Sequence, residues 1–93
     1  MLAMKKAIFK VPGGKLLKIF LEDADGKILQ LRITGDFFLY PEENIIMLEE
    51  SLIGCDLKKG SLEYRVKAFF KHHKTEFYGL DAESIVLTIL NAK

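Results

Sequence analysis

The sequence predicts an α+β fold, in which a three-stranded antiparallel sheet is followed by three helices packed on one face of the sheet. Up to Thr34, apolar and polar residues alternate as they do in half-buried strands. From Pro41 onward, the apolar residues recur at helical spacing. Asp25-Gly26, between two alternating runs, is a strong hairpin signal. The length of 93 residues suits one domain with a modest core.

Three strands are predicted, over residues 5–11, 15–22 and 27–34. Pro12-Gly13-Gly14 ends the first strand, because proline has no N–H to donate and glycine tolerates positive φ. Ile28 is assigned to the polar face of the third strand. The opposite face of the hairpin is expected to bury six aliphatic side chains: Leu17, Ile19, Leu21, Leu29, Leu31 and Ile33.

The first predicted helix begins at Pro41, whose missing N–H costs nothing in a first turn. Glu42 and Glu43 follow it and favour the positive end of the helix dipole. Gly54 is expected to end the helix in a left-handed cap. The stripe expected to be buried consists of Ile45, Leu48 and Leu52, supported by Ile46 and Ile53.

Two further helices are predicted. Ser61 is expected to N-cap the second, and Asp81 the third, with Glu83 in the first turn of the third. Phe77-Tyr78-Gly79 interrupts the helical pattern between them. The buried stripes are expected to consist of Leu62, Val66, Phe69 and Phe70 in the second helix, and of Ile85, Val86, Ile89 and Leu90 in the third.

Composition limits the class of protein. No apolar stretch is long enough to span a bilayer, and no secretory signal is recognisable at the N-terminus. Cys55 is the only cysteine, so no intramolecular disulfide can form, and we expect a cytoplasmic protein.

Charge sums to +1 but is distributed in blocks. The first 20 residues carry bases only: Lys5, Lys6, Lys10, Lys15 and Lys18. Residues 36–56 carry acids only: Asp36, Glu42, Glu43, Glu49, Glu50 and Asp56. Two interpretations are open: alternating solvated faces, or a polarised surface that docks on a charged partner. The near-neutral total argues against a dedicated nucleic-acid-binding protein.

The sequence contains no clear catalytic or metal-binding constellation. His72 and His73 are adjacent, so on a helix they point about 100° apart, and we interpret them as exposed helix-end residues. Cys55 has no base beside it in the sequence, which favours a small semi-buried residue over a nucleophile. Gly13-Gly14-Lys15 lacks phosphate-loop spacing. It is either a turn between strands or a place where Lys15 and the glycine backbone face a bound anion or partner.

Gly35-Asp36-Phe37-Phe38, at the end of the third predicted strand, has two interpretations. The two aromatic side chains would either plug the core beneath the helices or anchor an interface, since aromatic residues are enriched at binding hot spots. Asp36 would cap a backbone N–H two residues further on, as aspartate often does in turns.

The order of three short motifs resembles the C-terminal accessory domain of lipoate–protein ligases. These motifs are residues 10–16 (KVPGGKL), Asp25-Gly26-Lys27-Ile28 and Gly35-Asp36-Phe37-Phe38. A helix ending in Leu52-Ile53-Gly54 adds to the similarity, which covers nearly the whole chain. Because the domain here starts with its own methionine, it is similar to the split archaeal arrangement of Thermoplasma-like archaea, in which the accessory domain is a separate small protein.

The resemblance implies a non-catalytic accessory subunit that forms a heterodimer with a large catalytic subunit. That large subunit would bind lipoate, ATP and Mg²⁺ and form lipoyl-AMP, and the lipoyl group would pass to a lysine of a lipoyl-domain protein. The small subunit would be required for the activation step or would enhance it. No cofactor is expected on this chain alone, and no nucleic-acid or membrane partner. The candidate contact residues are Gly13, Gly14, Lys15, Asp36, Phe37 and Phe38.

Two alternatives stay open at this point. The first is a small scaffold or sulfur-trafficking protein of α+β fold, in which Cys55 would be needed. The second is a nucleic-acid-binding module with a basic surface, built from the N-terminal lysines and recognisable by salt-dependent binding.

Overall fold

A computed structural model describes residues 4–10, 15–78 and 80–92. The elements in chain order are β1 (Lys5–Lys10), β2 (Leu16–Ala24), β3 (Lys27–Gly35), β4 (Phe38–Tyr40), α1 (Asn44–Ser51), α2 (Lys59–His72), β5 (Glu76–Tyr78) and α3 (Ala82–Leu90). No helix among the described residues is both long and apolar enough to cross a membrane. Val11 and the predicted turn at Pro12-Gly13-Gly14 lie outside the described residues.

The main sheet has the order β1-β2-β3, and both pairings are antiparallel. One face of β2 is buried through Leu17, Ile19 and Leu21, each at most 1% exposed. Helices α1 and α3 pack against this sheet, and α2 packs against both of them. The expected α+β fold, with its three antiparallel strands and three helices, is confirmed.

A β-bulge in β3 changes which side chains enter the core. The register pairs Glu22 with Gln30 but Asp23 with Ile28, so Leu29 has no partner across the sheet. Ile28 is therefore fully buried, whereas Leu29 is 42% exposed. The connection after α1 holds this arrangement, because the Ile28 N–H donates to the Cys55 carbonyl and the Gly54 N–H donates to the Ile28 carbonyl. The assignment of these two side chains from the sequence was wrong.

Helix α1 begins at Asn44, later than predicted. The Asn44 N–H donates to the Pro41 carbonyl at 3.0 Å, which is an i to i+3 bond, so Pro41, Glu42 and Glu43 form a turn before the helix. Leu48 and Leu52 are buried as predicted. The two supporting side chains, Ile46 and Ile53, are exposed. Gly54 has the expected positive φ, +82°.

The starts of the other two helices differ in how well they were predicted. Helix α2 already begins at Lys59, with Lys58 as N-cap, because the Leu62 N–H bonds to the Lys58 carbonyl. Ser61 therefore lies inside the helix and does not cap it. The prediction for α3 is confirmed: Asp81 is the N-cap, and its Oδ1 accepts a 2.7 Å hydrogen bond from the Ser84 N–H.

A second sheet, which the sequence did not predict, consists of β4 and β5 paired antiparallel. The interruption seen at Phe77-Tyr78 is part of β5, which lies between α2 and α3 in the chain. Asn44 at the start of α1 anchors the segment before β5, since its Nδ2 donates to Thr75 Oγ1 at 2.8 Å. We call this two-stranded sheet the ribbon.

Candidate functional site

The turn after β3 begins at Gly35, where the backbone φ is +151°. A Cβ at this position would collide with the carbonyl oxygen of Leu16 on β2. Both the dihedral angle and the close approach therefore require glycine here. Gly35 is also the last residue of β3 and pairs with Leu17, so the sheet fixes the start of the turn relative to β2.

Asp36 binds the first residue of β2 through two hydrogen bonds. Its backbone N–H donates to the Leu16 carbonyl at 3.2 Å. Its carboxylate Oδ1 accepts a hydrogen bond from the Leu16 N–H at 2.6 Å. The prediction that Asp36 caps an amide two residues further on was wrong, because the sheet brings an amide 20 residues earlier in the chain within reach. We call this pair of bonds the Asp36–Leu16 clamp.

The two phenylalanines after the clamp have different environments. Phe37 is half-buried and packs against the hydrophobic core. Phe38 is the first residue of β4, and 67% of its surface is exposed. Each interpretation from the sequence thus suits one of the two: Phe37 packs into the core, and Phe38 is available to a partner.

An open groove of about 320 Å³ lies between the end of β3 and α1, beside the clamp. Phe37, Leu39 and Ile45 supply part of its apolar lining. Phe38 and the acidic residue Glu42 also line it. The groove can therefore accept an apolar group and presents a negative charge beside it.

Aromatic side chains cover the outer face of the ribbon. The register places Phe38 opposite Tyr78, and Tyr40 opposite Glu76. Directly opposed residues of an antiparallel pair share a face, so these four side chains lie on one side of the ribbon. Leu39 points to the other side and is buried. We call Phe38, Tyr40, Glu76 and Tyr78 the aromatic ribbon face.

The structure brings some of the candidate contact residues together. Lys15 is exposed and directly precedes Leu16, so it lies beside the Asp36–Leu16 clamp. Phe37 and Phe38 follow the clamp in the chain. Gly13 and Gly14 lie outside the described residues. Sequence reasoning missed Tyr40, Glu76 and Tyr78, because they lie in strands of three residues, which are too short to give a periodic signal.

Cys55 is in an environment that suppresses its reactivity. It is 2% exposed, more deeply buried than expected, and its thiol donates weakly to the Asp56 carbonyl at 3.5 Å. Burial raises the pKa of the thiol, and the positive charge of Arg65 only partly opposes that shift. A thiol with a raised pKa forms less of the nucleophilic thiolate, which counts against a sulfur-transfer role.

The histidines and the first lysines also have local contacts. His73 stacks on Phe69, with ring centroids 4.4 Å apart. Lys5 forms an ion pair with Asp23 at 3.0 Å, and Lys6 lies 5.8 Å from the centre of the Phe20 ring. Two of the five N-terminal lysines thus have partners within the chain. Among the described residues, no group of three or more His, Cys, Asp and Glu is arranged to hold a metal ion.

A match to a known protein family covers most of this chain. Residues 6–89 match the family described as bacterial lipoate protein ligase C-terminus. The chain is 36% identical over 44 residues to lipoate-protein ligase A subunit 2 of Thermoplasma acidophilum, an alignment that covers 47% of this chain and 47% of that protein. The matched part therefore spans about half of that relative's length.

The fold also resembles a solved structure. The match is to a chain of an archaeal lipoylation system from Thermoplasma acidophilum, comprising a bipartite lipoate protein ligase and its E2 lipoyl domain. The TM-score is 0.82 at 25% sequence identity, and the match covers 96% of this chain and 97% of that chain.

Proposed function

Because the chain belongs to the lipoate protein ligase C-terminal family, we propose that it is the non-catalytic accessory subunit of a two-part lipoate–protein ligase. Family membership confirms the resemblance seen in the Gly35-Asp36-Phe37-Phe38 motif. The observation that carries the proposal is the fold match over 96% of this chain to a chain of a bipartite ligase system.

In this proposal the chain enhances the activation of lipoate to lipoyl-AMP by a large catalytic subunit. Lipoate, ATP and Mg²⁺ are bound by that large subunit, which forms a heterodimer with this chain. The lipoyl group then passes to a lysine of a lipoyl-domain acceptor protein. The chain acts on acceptor proteins only indirectly, through its partner. We place the complex in the cytoplasm.

The proposed action is conformational. The accessory subunit favours the adenylation-competent state of its partner by binding that state more tightly than the inactive one. A coupling free energy of about 1–3 kcal/mol would raise the activation rate between several-fold and roughly a hundredfold. A docking surface that keeps its shape in the free chain suits this role, because little binding free energy is then spent on ordering it.

The clamp region supplies such a surface. The Asp36–Leu16 clamp and the buried side of Phe37 hold the turn after β3 in one conformation. Lys15 lies next to the clamp and is exposed, so its ammonium group is available to a carboxylate or phosphate on the partner side. We assign Lys15, Asp36, Phe37 and Phe38 to the contact region, together with Gly13 and Gly14 from the motif.

The test is lipoate- and ATP-dependent release of pyrophosphate by the large subunit, measured with and without this chain. We expect release to be several-fold faster, or to occur only, with both chains present. Lys15→Ala should weaken the stimulation, whereas Lys71→Ala, which removes an exposed lysine on α2, should leave it unchanged. A large subunit that is equally active alone and does not bind this chain would contradict the proposal.

A further inference from the structure

Most of the surface of each aromatic residue on the aromatic ribbon face is exposed. Phe38 is 67% exposed, Tyr40 66% and Tyr78 58%. Exposed apolar groups that form one patch mark interaction sites in proteins, in contrast to singly scattered ones. Aromatic residues also dominate the hot spots of protein interfaces.

The ribbon holds these side chains in a fixed arrangement. Leu39 is 6% exposed and attaches the inner side of β4 to the core. Thr75 lies just before β5, and its Oγ1 accepts a 2.8 Å hydrogen bond from the side-chain amide of Asn44. This bond attaches the ribbon to α1. Rings presented from an anchored strand lose little conformational entropy when they bind.

The negative charge on this face favours a partner that carries positively charged side chains. Among its four members the only charged group is the carboxylate of Glu76, and the Tyr78 hydroxyl donates to it at 3.3 Å. Glu42, a second acidic residue, lines the adjoining groove together with Phe38. Rings beside carboxylates suit a guanidinium group, which stacks on aromatic faces and pairs with carboxylates in a bidentate manner.

We propose that the aromatic ribbon face is the docking surface for an arginine-bearing patch of the large catalytic subunit. This inference rests on the proposed function and names a surface and a chemistry for that contact. In the complex, arginine side chains of the partner stack on Phe38, Tyr40 and Tyr78 and pair with Glu76. The apolar groove beside Phe38 extends the same interface toward the Asp36–Leu16 clamp.

The experiment is calorimetric titration of the full chain into the large subunit, at low and at physiological salt. Phe38→Ser and Tyr78→Ser should each raise the Kd roughly tenfold or more, as loss of a hot-spot aromatic does. Glu76→Gln should also raise the Kd and should reduce its dependence on salt, since one charge pair is lost.

Matched controls separate this face from the rest of the surface. Tyr64→Ser removes the 74% exposed tyrosine of α2, and Glu50→Gln neutralises an exposed carboxylate of α1. Both controls should bind like the unaltered chain. Far-UV circular dichroism and urea midpoints establish that each variant is folded. Glu76→Lys, which leaves every ring in place, should weaken binding more than Glu76→Gln.

Each outcome decides the inference. Ribbon variants that are folded and bind as tightly as Tyr64→Ser would overturn it, while the proposed function would stand because the unaltered chain still binds. An unaltered chain that fails to bind the large subunit would overturn both. Sedimentation showing that the free chain self-associates through Phe38 would assign the face to a second copy and overturn it as well.

Discussion

Glu49 of α1 and Ile33 of β3 are joined by a hydrogen bond, in which the Ile33 N–H donates to Glu49 Oε2 at 2.6 Å. β3 is an edge strand of the main sheet, and the Ile33 amide is bonded to a side chain of α1. The carboxylate thus satisfies a donor on an open edge, a position where an unpaired backbone group otherwise invites pairing with another chain. It also fixes α1 against the sheet.

Loss of this bond should destabilise the fold. Glu49→Ala leaves the partly buried Ile33 N–H without its acceptor, so we expect the free energy of unfolding to fall by about 1–3 kcal/mol. Glu49→Gln keeps an oxygen acceptor and should cost less. Urea denaturation of the three proteins checks this. Equal stability of the unaltered chain and Glu49→Ala would show that the bond contributes nothing.

Two glycine substitutions should have opposite effects. Gly35→Ala places a Cβ against the Leu16 carbonyl at a φ of +151°, so we expect a loss of at least about 2 kcal/mol. Gly60 lies in the first turn of α2 and has open space around its Cα. Gly60→Ala should therefore stabilise the chain, by up to about 1 kcal/mol. Thermal unfolding of both variants measures the contrast, and a tolerated Gly35→Ala would mean that the turn can rearrange.

The side-chain bond of the Asp36–Leu16 clamp should be detectable by hydrogen exchange at one backbone amide, that of Leu16. Asp36→Ala removes the acceptor of the Leu16 N–H, so hydrogen exchange at that amide should become faster. The loss in stability should be about 1 kcal/mol, since the bond is exposed to solvent. Asp36→Asn retains an oxygen acceptor and serves as the control. Unchanged exchange at Leu16 in Asp36→Ala would exclude the side-chain bond of the clamp.

Because of Cys55, the free energy of unfolding should fall as the pH rises through the alkaline range. Burial raises the pKa of its thiol in the folded state, so folding favours the neutral form. The stabilisation is complete below the pKa of the thiol in the unfolded chain and is lost as the pH rises toward the higher folded value. Cys55→Ala should lose less stability over that range. Urea midpoints measured across the alkaline range test this, and parallel profiles for the two proteins would contradict it.

Features that depend on local pattern were predictable from the sequence. Asp81 caps α3 because its carboxylate and the Ser84 amide lie within one turn. The buried stripe of Leu62, Val66 and Phe69 follows from helical spacing alone. The same holds for the buried face of β2, where the alternation is undisturbed.

Features that depend on distant segments were not predictable. The bulge at Leu29 is held by backbone bonds from Gly54 and Cys55, which no pattern within β3 reveals. The acceptor role of Asp36 was predicted, but its partner Leu16 is set by the pairing of β2 with β3. The ribbon strands are three residues each, too short for a periodic signal. The functional roles of Lys15, Asp36, Phe37 and Phe38 stay predictions until the variants are measured.

The ribbon has a consequence for the order of folding. Its two strands are separated in the chain by both α1 and α2, so they can pair only after a long loop has closed. Hairpin β2–β3, by contrast, closes through a tight turn at Asp25-Gly26. We therefore expect the ribbon to assemble late. A partner that docks on Phe38 and Tyr78 together would bind only chains in which the ribbon has formed. Incompletely folded chains would therefore be left out of the complex.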